Sequence, residues 1–467
     1  MDNLQNRDVS RVKTVPAGIA YKFLRLFTVI HPGESGTALL LMLNVFLLLA
    51  AYYIIKPVRS ALILAGKGAE WESYLNAIIA VLLIFVVKAF SRMASHLPRQ
   101  KLISWITAFF ISNLVVFYFL SFSGISLGTM GIIFFLWVGI FNVMVVAQFW
   151  GFANDLYSEE MGKRLFPIVA FGAASGGFAG SRAAGWLIQS IGLYQMMLVS
   201  GAMLGFCIIL TLVIHRREVR IRQARVSEEE DSHTEMADTM DAKEQEKPLE
   251  KGGGFQLLFK KRYLLYIAFF VLLLNFVNTN GQYMLHSIFE KAAVEAVDLG
   301  TAGGLDIEEY IGAYEAKFMM YFNLLGMIVQ LFVVSRVFKW FGVRVALFIL
   351  PFIAIGGYFL IAVGASLMLT FWVKVAENGT DYSLMNTTRH ALFLITAREE
   401  KYKAKAAIDT FFHRAGDVLS ALIVFLGTTY LAFNTERFGA FNVGLVIIWL
   451  IIGVLIFREH KRLSVLK

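Results

Sequence analysis

Long apolar stretches separated by short charged segments dominate the hydrophobic pattern of this chain. The stretches are continuous, and most are about 20 residues long, the length with which an α-helix crosses a bilayer. About twelve of them follow one another, at residues 37–65, 74–90, 102–122, 129–152, 165–188, 194–214, 263–284, 317–338, 343–363, 367–384, 406–431 and 438–457. The pattern predicts an all-α polytopic membrane protein. It excludes a transmembrane β-barrel, whose strands would alternate apolar and polar residues.

One polar segment interrupts the series after the sixth stretch. It contains VSEEEDSHTEMADTMDAKEQEKPLEKGGG (226–254), which is acidic and poor in aromatic residues. Such a composition cannot bury a core, so we expect a largely disordered linker. Two sets of six helices joined in this way are the layout of major-facilitator transporters, whose halves are pseudo-symmetric. The predicted parts are an N-terminal segment, 1–36; a first bundle, 37–214; the linker, 215–262; a second bundle, 263–457; and a tail, 458–467.

Lysine and arginine are concentrated in alternate connections, which predicts an orientation in the membrane. The basic connections carry Arg92, Arg99, Lys101, Lys163, Arg164, Arg216, Arg217, Arg336, Lys339, Arg458 and Lys461. The other connections are nearly uncharged or acidic. The positive-inside rule therefore places both termini in the cytoplasm. The same rule accounts for the net charge of +9, so no nucleic-acid partner is expected. Within 1–36, AGIAYKFLRLFTVI is basic and amphipathic and could lie on the membrane surface.

Composition argues against several classes of protein. The chain is 58% hydrophobic and only 16% charged, which is too apolar for a soluble domain. Its one cysteine excludes a disulfide framework and a thiolate metal site. It has no histidine or cysteine spacing typical of a metal site and no phosphate-binding glycine loop. We therefore expect no enzyme activity, no cofactor and no metal.

Ionisable residues inside the tenth predicted span are the main functional signal. Lys374, Glu377 and Asp381 lie three and four residues apart, so one helical face carries a cation and two acids. Glu377 lies about 15 Å along a helix that enters near residue 366. A charge at that depth costs at least about 2.5–3.5 kcal/mol unless it is paired or faces water. These residues predict either a polar path with a proton-carrying carboxylate or a purely structural ion pair.

The first and eleventh spans also carry charged groups. In the first, Lys56 and Arg59 flank Pro57, which can break the helix locally. This pair predicts a cationic site for phosphate or carboxylate, or else two side chains that snorkel to the interface. In the eleventh, His413, Arg414 and Asp417 form a group like that of the tenth.

The seventh and fifth spans each allow two interpretations. Asn275 and Asn278, with Asn280 and His286, polarise the seventh span; they predict hydrogen-bond donors to a substrate or bonds between helices. The fifth contains FGAASGGFAGSRAAGW (171–186), whose small residues let helices approach closely. That helix is expected either to slide against the opposite half or to pack statically.

Four segments resemble a known family. FWGFANDLYSEEMGKRLFPIVAFGA (149–173) is similar to a segment of the ATP:ADP antiporter type of nucleotide transporter, found in intracellular bacteria and plastids. DYSLMNTTRHALFLI, KAKAAIDTFFHRAGD and KPVRSALIL resemble further segments of that family. The resemblance implies a major-facilitator-like fold and nucleotide transport.

This chain departs from the family pattern at several charged positions. The family's first-span lysine aligns with Arg59 and its arginine with Lys56, so both charges are kept. Its Thr-Lys-Glu corresponds to Thr388, Arg389 and His390, which loses the acid, and Asp417 replaces a lysine.

Together these features predict a secondary transporter of a phosphorylated anion, a nucleotide above all, that works by alternating access in the bacterial inner membrane. Exchange and proton-coupled uptake both remain open. The expected substrate-binding residues are Lys56, Arg59, Lys374, Arg389, Arg414, Asn275 and Asn278, and the expected coupling or ion-pair residues are Glu377, Asp381, Asp417 and His413. Arg59, Glu377 and Arg414 are expected to meet in one wet chamber.

Two alternatives stay open. A major-facilitator-like transporter of a non-nucleotide solute or a lipid would share the fold. A non-transporting sensor or scaffold would explain the acidic linker, which could dock a cytoplasmic partner. We expect the protein to act as a monomer in the lipid bilayer.

Overall fold

The computed structural model describes residues 34–96, 99–157, 159–232, 258–396 and 404–465. Within these ranges the chain is helical and contains no strand. The predicted interfacial helix of the N-terminal segment and most of the predicted linker lie outside the described residues.

The described residues of the first half form six long helices. They are α1, Glu34–Lys67; α2, Ala69–His96; α3, Arg99–Leu120; α4, Leu127–Leu156; α5, Glu159–Ile191; and α6, Gln195–Ser232. Pro57 lies within α1, which continues through it, so the local break that a proline permits does not occur here. Helix α6 extends well past residue 214, so the first part of the predicted linker is helical.

The second half repeats this pattern with three interrupted helices. The uninterrupted helices are α7, Arg262–Asp298; α9, Gly342–Ala362; and α12, Thr435–Val465. Helix α8 consists of Ile307–Ile328, a π-turn at Val329–Val333 and a helix at Val334–Trp340, and α11 of Lys405–Ala407, a π-turn at Ile408–Phe412 and a helix at His413–Thr429. Helix α10 consists of Leu367–Thr380, a π-turn at Asp381–Met385, a helix at Asn386–Leu392 and a 3-10 turn at Phe393–Ile395. Single π-turns inside helices are frequent at functional sites. Those of α10 and α11 lie within the segments that the sequence singled out.

Ten helices among the described residues are long and apolar enough to cross a membrane. The two others are α5, which is rich in small residues, and α10, which carries buried charges. Both pack among the ten: α5 lies along α1 and α8, and α10 lies against α8 and α9. The predicted all-α polytopic fold is confirmed.

Helix α1 is the centre of the first half. A Cβ on Gly176 would lie 2.4 Å from the carbonyl oxygen of Phe46, and one on Gly180 would lie 2.5 Å from that of Ala50. Only glycine permits this approach, and both contacts advance together along the chain, so α1 and α5 run parallel. The small residues of α5 therefore serve close packing within one half.

Hydrogen bonds join α1 to α6 in the opposite sense. The Asn44 amide donates to Thr211 Oγ1 over 3.0 Å, and Ser200 Oγ donates to the Ala51 carbonyl over 2.8 Å. Positions later in α1 meet positions earlier in α6, so these two helices are antiparallel.

Helix α7 has the same two relations in the second half. Asn275 bonds Asp417 of α11, and Asn280 bonds Ser420. Later positions in α7 meet later positions in α11, so these two helices are parallel. Asn280 also bonds Asn442 of α12. Because α7, α11 and α12 repeat the arrangement of α1, α5 and α6, the halves are pseudo-symmetric, each helix corresponding to the one six places on.

We call the end of the bundle where α1 begins the near face and the end where α1 finishes the far face. The halves meet along α5 with α8 and along α2 with α11, two seams that the pseudo-symmetry interchanges. The Ala69 amide of α2 donates to Glu290 of α7 over 3.0 Å, and Tyr74 of α2 contacts Phe425 of α11 with ring centres 6.3 Å apart. These contacts close the far face.

Candidate functional site

A polar cavity of about 130 Å³ lies between the two halves. Its walls come from α1, α2, α7, α8 and α10. They consist of Lys56, Arg59, Glu72, Asn76, Asn278, Thr279, Gln282, Glu315, Phe318, Phe322, Asn378 and Tyr382. Tyr382 is 57% exposed, so the cavity communicates with the surface on the side away from the far-face contacts.

Two cations of α1 line this cavity. Lys56 Nζ lies 5.5 Å from the ring centre of Tyr53 and 5.8 Å from that of Phe322. Arg59 forms an ion pair with Glu72 at 3.3 Å, and its guanidinium carbon lies 4.2 Å from the ring centre of Phe135. Arg59 Nε has no hydrogen-bond partner among the residues that the structure describes. Both side chains line the cavity, which agrees with the first of the two interpretations of this motif and not with snorkelling.

A cluster at the far end of the cavity joins the two halves. His286 of α7 contacts Glu72 of α2 through Nδ1, and its Nε2 lies 3.1 Å from Glu315 Oε2 of α8. The three side chains are at most 6% exposed. With the ion pair of Arg59, the cluster connects α1 and α2 to α7 and α8. We call Arg59, Glu72, His286 and Glu315 the far-face lock.

The sequence interpretation missed both carboxylates of the lock because it placed them in loops before the second and eighth spans. In the structure, α2 begins at Ala69 and α8 at Ile307, so both are helical. A signal was present for Glu315. It shares a helical face with the buried Ile311, Phe318 and Phe322, a spacing that predicts an inward side chain.

Lys374 and Glu377 of α10 form an ion pair behind the cavity wall. Lys374 is wholly buried, and its Nζ lies 2.7 Å from Glu377 Oε2 and 2.9 Å from Asn278 Oδ1. Tyr358 of α9 donates to the same carboxylate over 2.8 Å. The pair ties α10 to α7 and α9, and Asn278, which bonds Lys374, also lines the cavity.

Asp417 of α11 is the centre of a second internal group. Its Oδ1 accepts from Asn275 over 2.8 Å and from Thr279 over 2.9 Å, and its Oδ2 pairs with Arg414 at 3.2 Å. Asn275 also donates to the His413 carbonyl over 2.7 Å. These contacts match the predicted alternative for Asn275, a bond between helices. Thr279 connects this group to the cavity.

Asp381 and Arg389 lie further towards the near face on α10. Asp381 begins the π-turn, and its Oδ1 has no hydrogen-bond partner within the described ranges. Arg389 donates to Asn386 Oδ1 over 3.2 Å, while its Nε and Nη1 bond nothing in the described part of the chain. Neither residue lines the cavity.

The predicted residues therefore fall into separate groups. Lys56, Arg59 and Asn278 line the cavity, whereas Glu377 and Arg414 belong to internal pairs. The expectation that Arg59, Glu377 and Arg414 meet in one chamber is wrong, because each carboxylate finds a cation on its own helix.

Two pseudo-symmetric halves of long helices around a polar cavity define an all-α membrane fold of the major-facilitator type. A bacterial homologue of the human lysosomal transporter Spinster, in an inward-facing unoccupied conformation, is similar with a TM-score of 0.54 and 15% identity, covering 93% of this chain and 98% of that one. The nucleoside transporter NupG gives a TM-score of 0.59 at 12% identity, covering 89% and 98%. These likenesses show the fold.

The chain belongs to the TLC ATP/ADP transporter family, whose model matches residues 124–460. ADP,ATP carrier protein 5 of Rickettsia prowazekii (strain Madrid E) is 24% identical, and that of Rickettsia bellii (strain RML369-C) is 25% identical. Each match covers 33% of this chain and 37% of the relative, so the chain spans about a third of the length of these curated relatives. The family resemblance found in the sequence is confirmed.

Proposed function

We propose that this protein transports a nucleotide anion by alternating access, with the cavity between its halves as the substrate site. The observation that carries the proposal is the position of Lys56 and Arg59 on the cavity wall of a chain that belongs to an ATP/ADP transporter family. Lysine and arginine are the side chains that bind phosphate, lysine as a point charge and arginine as a fork.

Aromatic residues on the same wall supply the chemistry for a base. Phe322 and Tyr382 stack with ring centres 5.6 Å apart and planes inclined by 18°. A nucleobase stacked on such a surface gains about 1–3 kcal/mol. The phosphates would lie towards α1 and the base towards α8 and α10.

The cavity is too small to be the whole substrate site, so we take it as the inner end of a longer binding path. At about 130 Å³ it is smaller than ligand pockets generally are. A nucleotide would extend towards the near face, where Arg389 and Arg414 lie. On binding, phosphate would compete with Glu72 for Arg59, whose Nε has no partner in the described residues.

The basic residues indicate how the protein is oriented in the membrane. Arg92, Arg216 and Arg458 lie at near-face helix ends, where the positive-inside rule expects the cytoplasm. We infer a bacterial inner-membrane location with the near face cytoplasmic, so the described conformation is the inward-open one.

The test is counterflow of radiolabelled ATP, ADP and GTP in proteoliposomes. Lys56→Gln and Arg59→Gln each remove one charged hydrogen-bond donor, worth about 1.5–3 kcal/mol, so each should lower uptake about tenfold or more. The control is Lys317→Gln, because Lys317 lies in a lateral groove with α5. Parent-like uptake by both cavity variants would refute the site. Absence of flux with every nucleotide would refute the substrate.

One observation favours a second candidate, a transporter of a less charged solute. The cavity wall carries Glu72 and Glu315 beside its two cations, so the formal charges of these four side chains balance when both carboxyl groups are ionised. A zwitterionic or neutral phosphorylated solute would need no carboxylate to move. Thermal-shift screening of nucleotides against such solutes separates the two candidates.

A further inference from the structure

The far-face lock holds a histidine between two carboxylates, one of which belongs to the other half of the molecule. Glu72 of the first half contacts Nδ1 of His286, and Glu315 lies 3.1 Å from Nε2. His286 is 1% exposed, so water does not replace either contact.

Hydrogen-bond counting sets the number of protons in this arrangement. A neutral imidazole has one N–H, whereas an ionised carboxylate only accepts. Both contacts are satisfied if His286 is an imidazolium, or if one of the two carboxyl groups is protonated and donates to the ring. Either state holds one proton more than a neutral histidine with two carboxylates.

Gln282 does not remove this requirement. Its side-chain nitrogen lies 2.6 Å from His286 Nε2. If the amide donated to a neutral ring at that atom, Glu315 would face a ring lone pair as an unprotonated carboxylate. Glu315 is 2% exposed, and a buried charge without a donor is costly. A proton on the ring relieves this conflict once the Gln282 amide is turned over, so that its oxygen and Glu315 both accept from Nε2–H. A proton on Glu315 relieves it by removing the buried charge.

The surrounding charges also favour the added proton. Of the charged groups on the helices around His286, those that line the cavity or belong to the contacts described above are Arg59 and Lys56 of α1, Glu72 of α2, Glu290 of α7, Glu315 of α8, the Lys374–Glu377 pair of α10 and Asp417 of α11. The α10 pair neutralises itself, Asp417 is held by α7 and by Arg414, and Glu290 accepts from a backbone amide. Of the lock itself, Arg59 offsets one carboxylate. The proton brings its net charge from minus one to zero.

We propose that the far-face lock is a proton-binding site and that closing the far face takes up one proton. The inference deepens the alternating-access function proposed above and rests on it. When the halves part at this face, Glu72 leaves His286 and the shared proton loses one of its partners. Since Glu72 and Glu315 also line the cavity, the proton has a route to the near face once the far face is closed.

In this proposal, proton coupling belongs to the far-face lock and not to the carboxylates that the sequence analysis singled out. Glu377 and Asp417 are each neutralised within their own half, by Lys374 and Arg414. Their environment does not depend on contact between the halves. The environment of His286 does, and a coupling site needs that dependence.

The test measures the far face directly and uses no substrate, so its failure is distinct from failure of the nucleotide proposal. Spin labels are placed at Ser123→Cys, in the far-face turn between α3 and α4, and at Asp298→Cys, the exposed last residue of α7, with Cys207→Ser as background. Pulsed EPR on the purified full chain then reports the closed and open fractions between pH 5 and 9. One linked proton predicts that the closure equilibrium falls by up to about tenfold per pH unit as pH rises.

Variants locate the proton. Glu315→Gln supplies a permanent N–H to the ring, so its far face should stay closed with no dependence on pH. His286→Gln should also lose the dependence. The control is His215→Gln, near the middle of α6 and away from the far-face lock, which should keep the dependence on pH. A parent whose distances ignore pH would overturn the proposal. The proposal would also be overturned if closure still depended on pH in Glu315→Gln, or if it no longer depended on pH in His215→Gln.

Discussion

The buried pair of Lys374 and Glu377 provides the sharpest prediction about what holds the second half together. Their charged atoms lie 2.7 Å apart, and the lysine is completely buried. At an effective dielectric constant of about 20, two unit charges at that distance attract by about 6 kcal/mol. Removing two ions from water costs several kcal/mol for each, so the intact pair contributes little net stability.

Removing one partner has a much larger effect than the pair's net contribution. Glu377→Gln keeps the shape and still accepts the hydrogen bond from Tyr358, but it leaves the Lys374 ammonium without a counter-charge. Breaking a buried pair in this way costs about 3–5 kcal/mol. We expect the free energy of unfolding to fall by that amount in Glu377→Gln and also in Lys374→Met, where the carboxylate is left.

The double variant Lys374→Met with Glu377→Gln removes both charges and should recover most of the loss. Equilibrium unfolding of the purified protein in mixed micelles with increasing dodecyl sulfate measures all four proteins of this cycle. A single variant within about 1 kcal/mol of the parent, or a double variant no more stable than either single, would refute the structural role given to this pair.

Three further predictions concern packing, an internal acid and the base-binding surface. Gly176→Val should lower the free energy of unfolding by about 1–3 kcal/mol or more, because a carbonyl of α1 lies 2.4 Å from the new Cβ, whereas Gly205→Val, with nothing within 4 Å, should not. Asp417→Leu should cost more stability than Asp417→Asn, which keeps an oxygen for two buried donors; equal losses in the same titration would contradict this. Tyr382→Ala should weaken nucleotide affinity by about 1–3 kcal/mol in competition uptake, and unchanged competition would exclude stacking on this residue.

Hydrophobic periodicity was sufficient to predict the helices and their pseudo-symmetric halves. Continuous apolar runs of bilayer length allow no other regular structure, so the twelve segments and their order follow from the sequence alone. Their ends did not follow, because helices such as α7 and α8 continue for several turns beyond the apolar part. Glu72 and Glu315 were missed for that reason.

Sequence reasoning left partner choice open: a structural ion pair was one of its two alternatives for Lys374 and Glu377, and the sequence could not decide between them. Lys374 with Glu377, and Arg414 with Asp417, are three residues apart on one helix, so a local pair was always available. Whether such a group instead faces a cavity depends on how α10 and α11 are rotated, which no local pattern determines. For Lys56 and Arg59 the alternative was that both side chains snorkel to the membrane interface. Helix α1 continues to Lys67, so both residues lie inside the span and line the cavity.

Transport by separation of the two halves at the far face is the central claim, and a reversible cross-link tests it directly. Lys67 of α1 and Lys291 of α7 are exposed at this face, on either side of the contact between Gly68 and Glu290. Lys67→Cys with Lys291→Cys, in the Cys207→Ser background, can be joined by a short reducible bifunctional reagent. Nucleotide counterflow should stop when the link forms and return when it is reduced, while each single-cysteine protein stays active. Full counterflow through the linked protein would contradict the account.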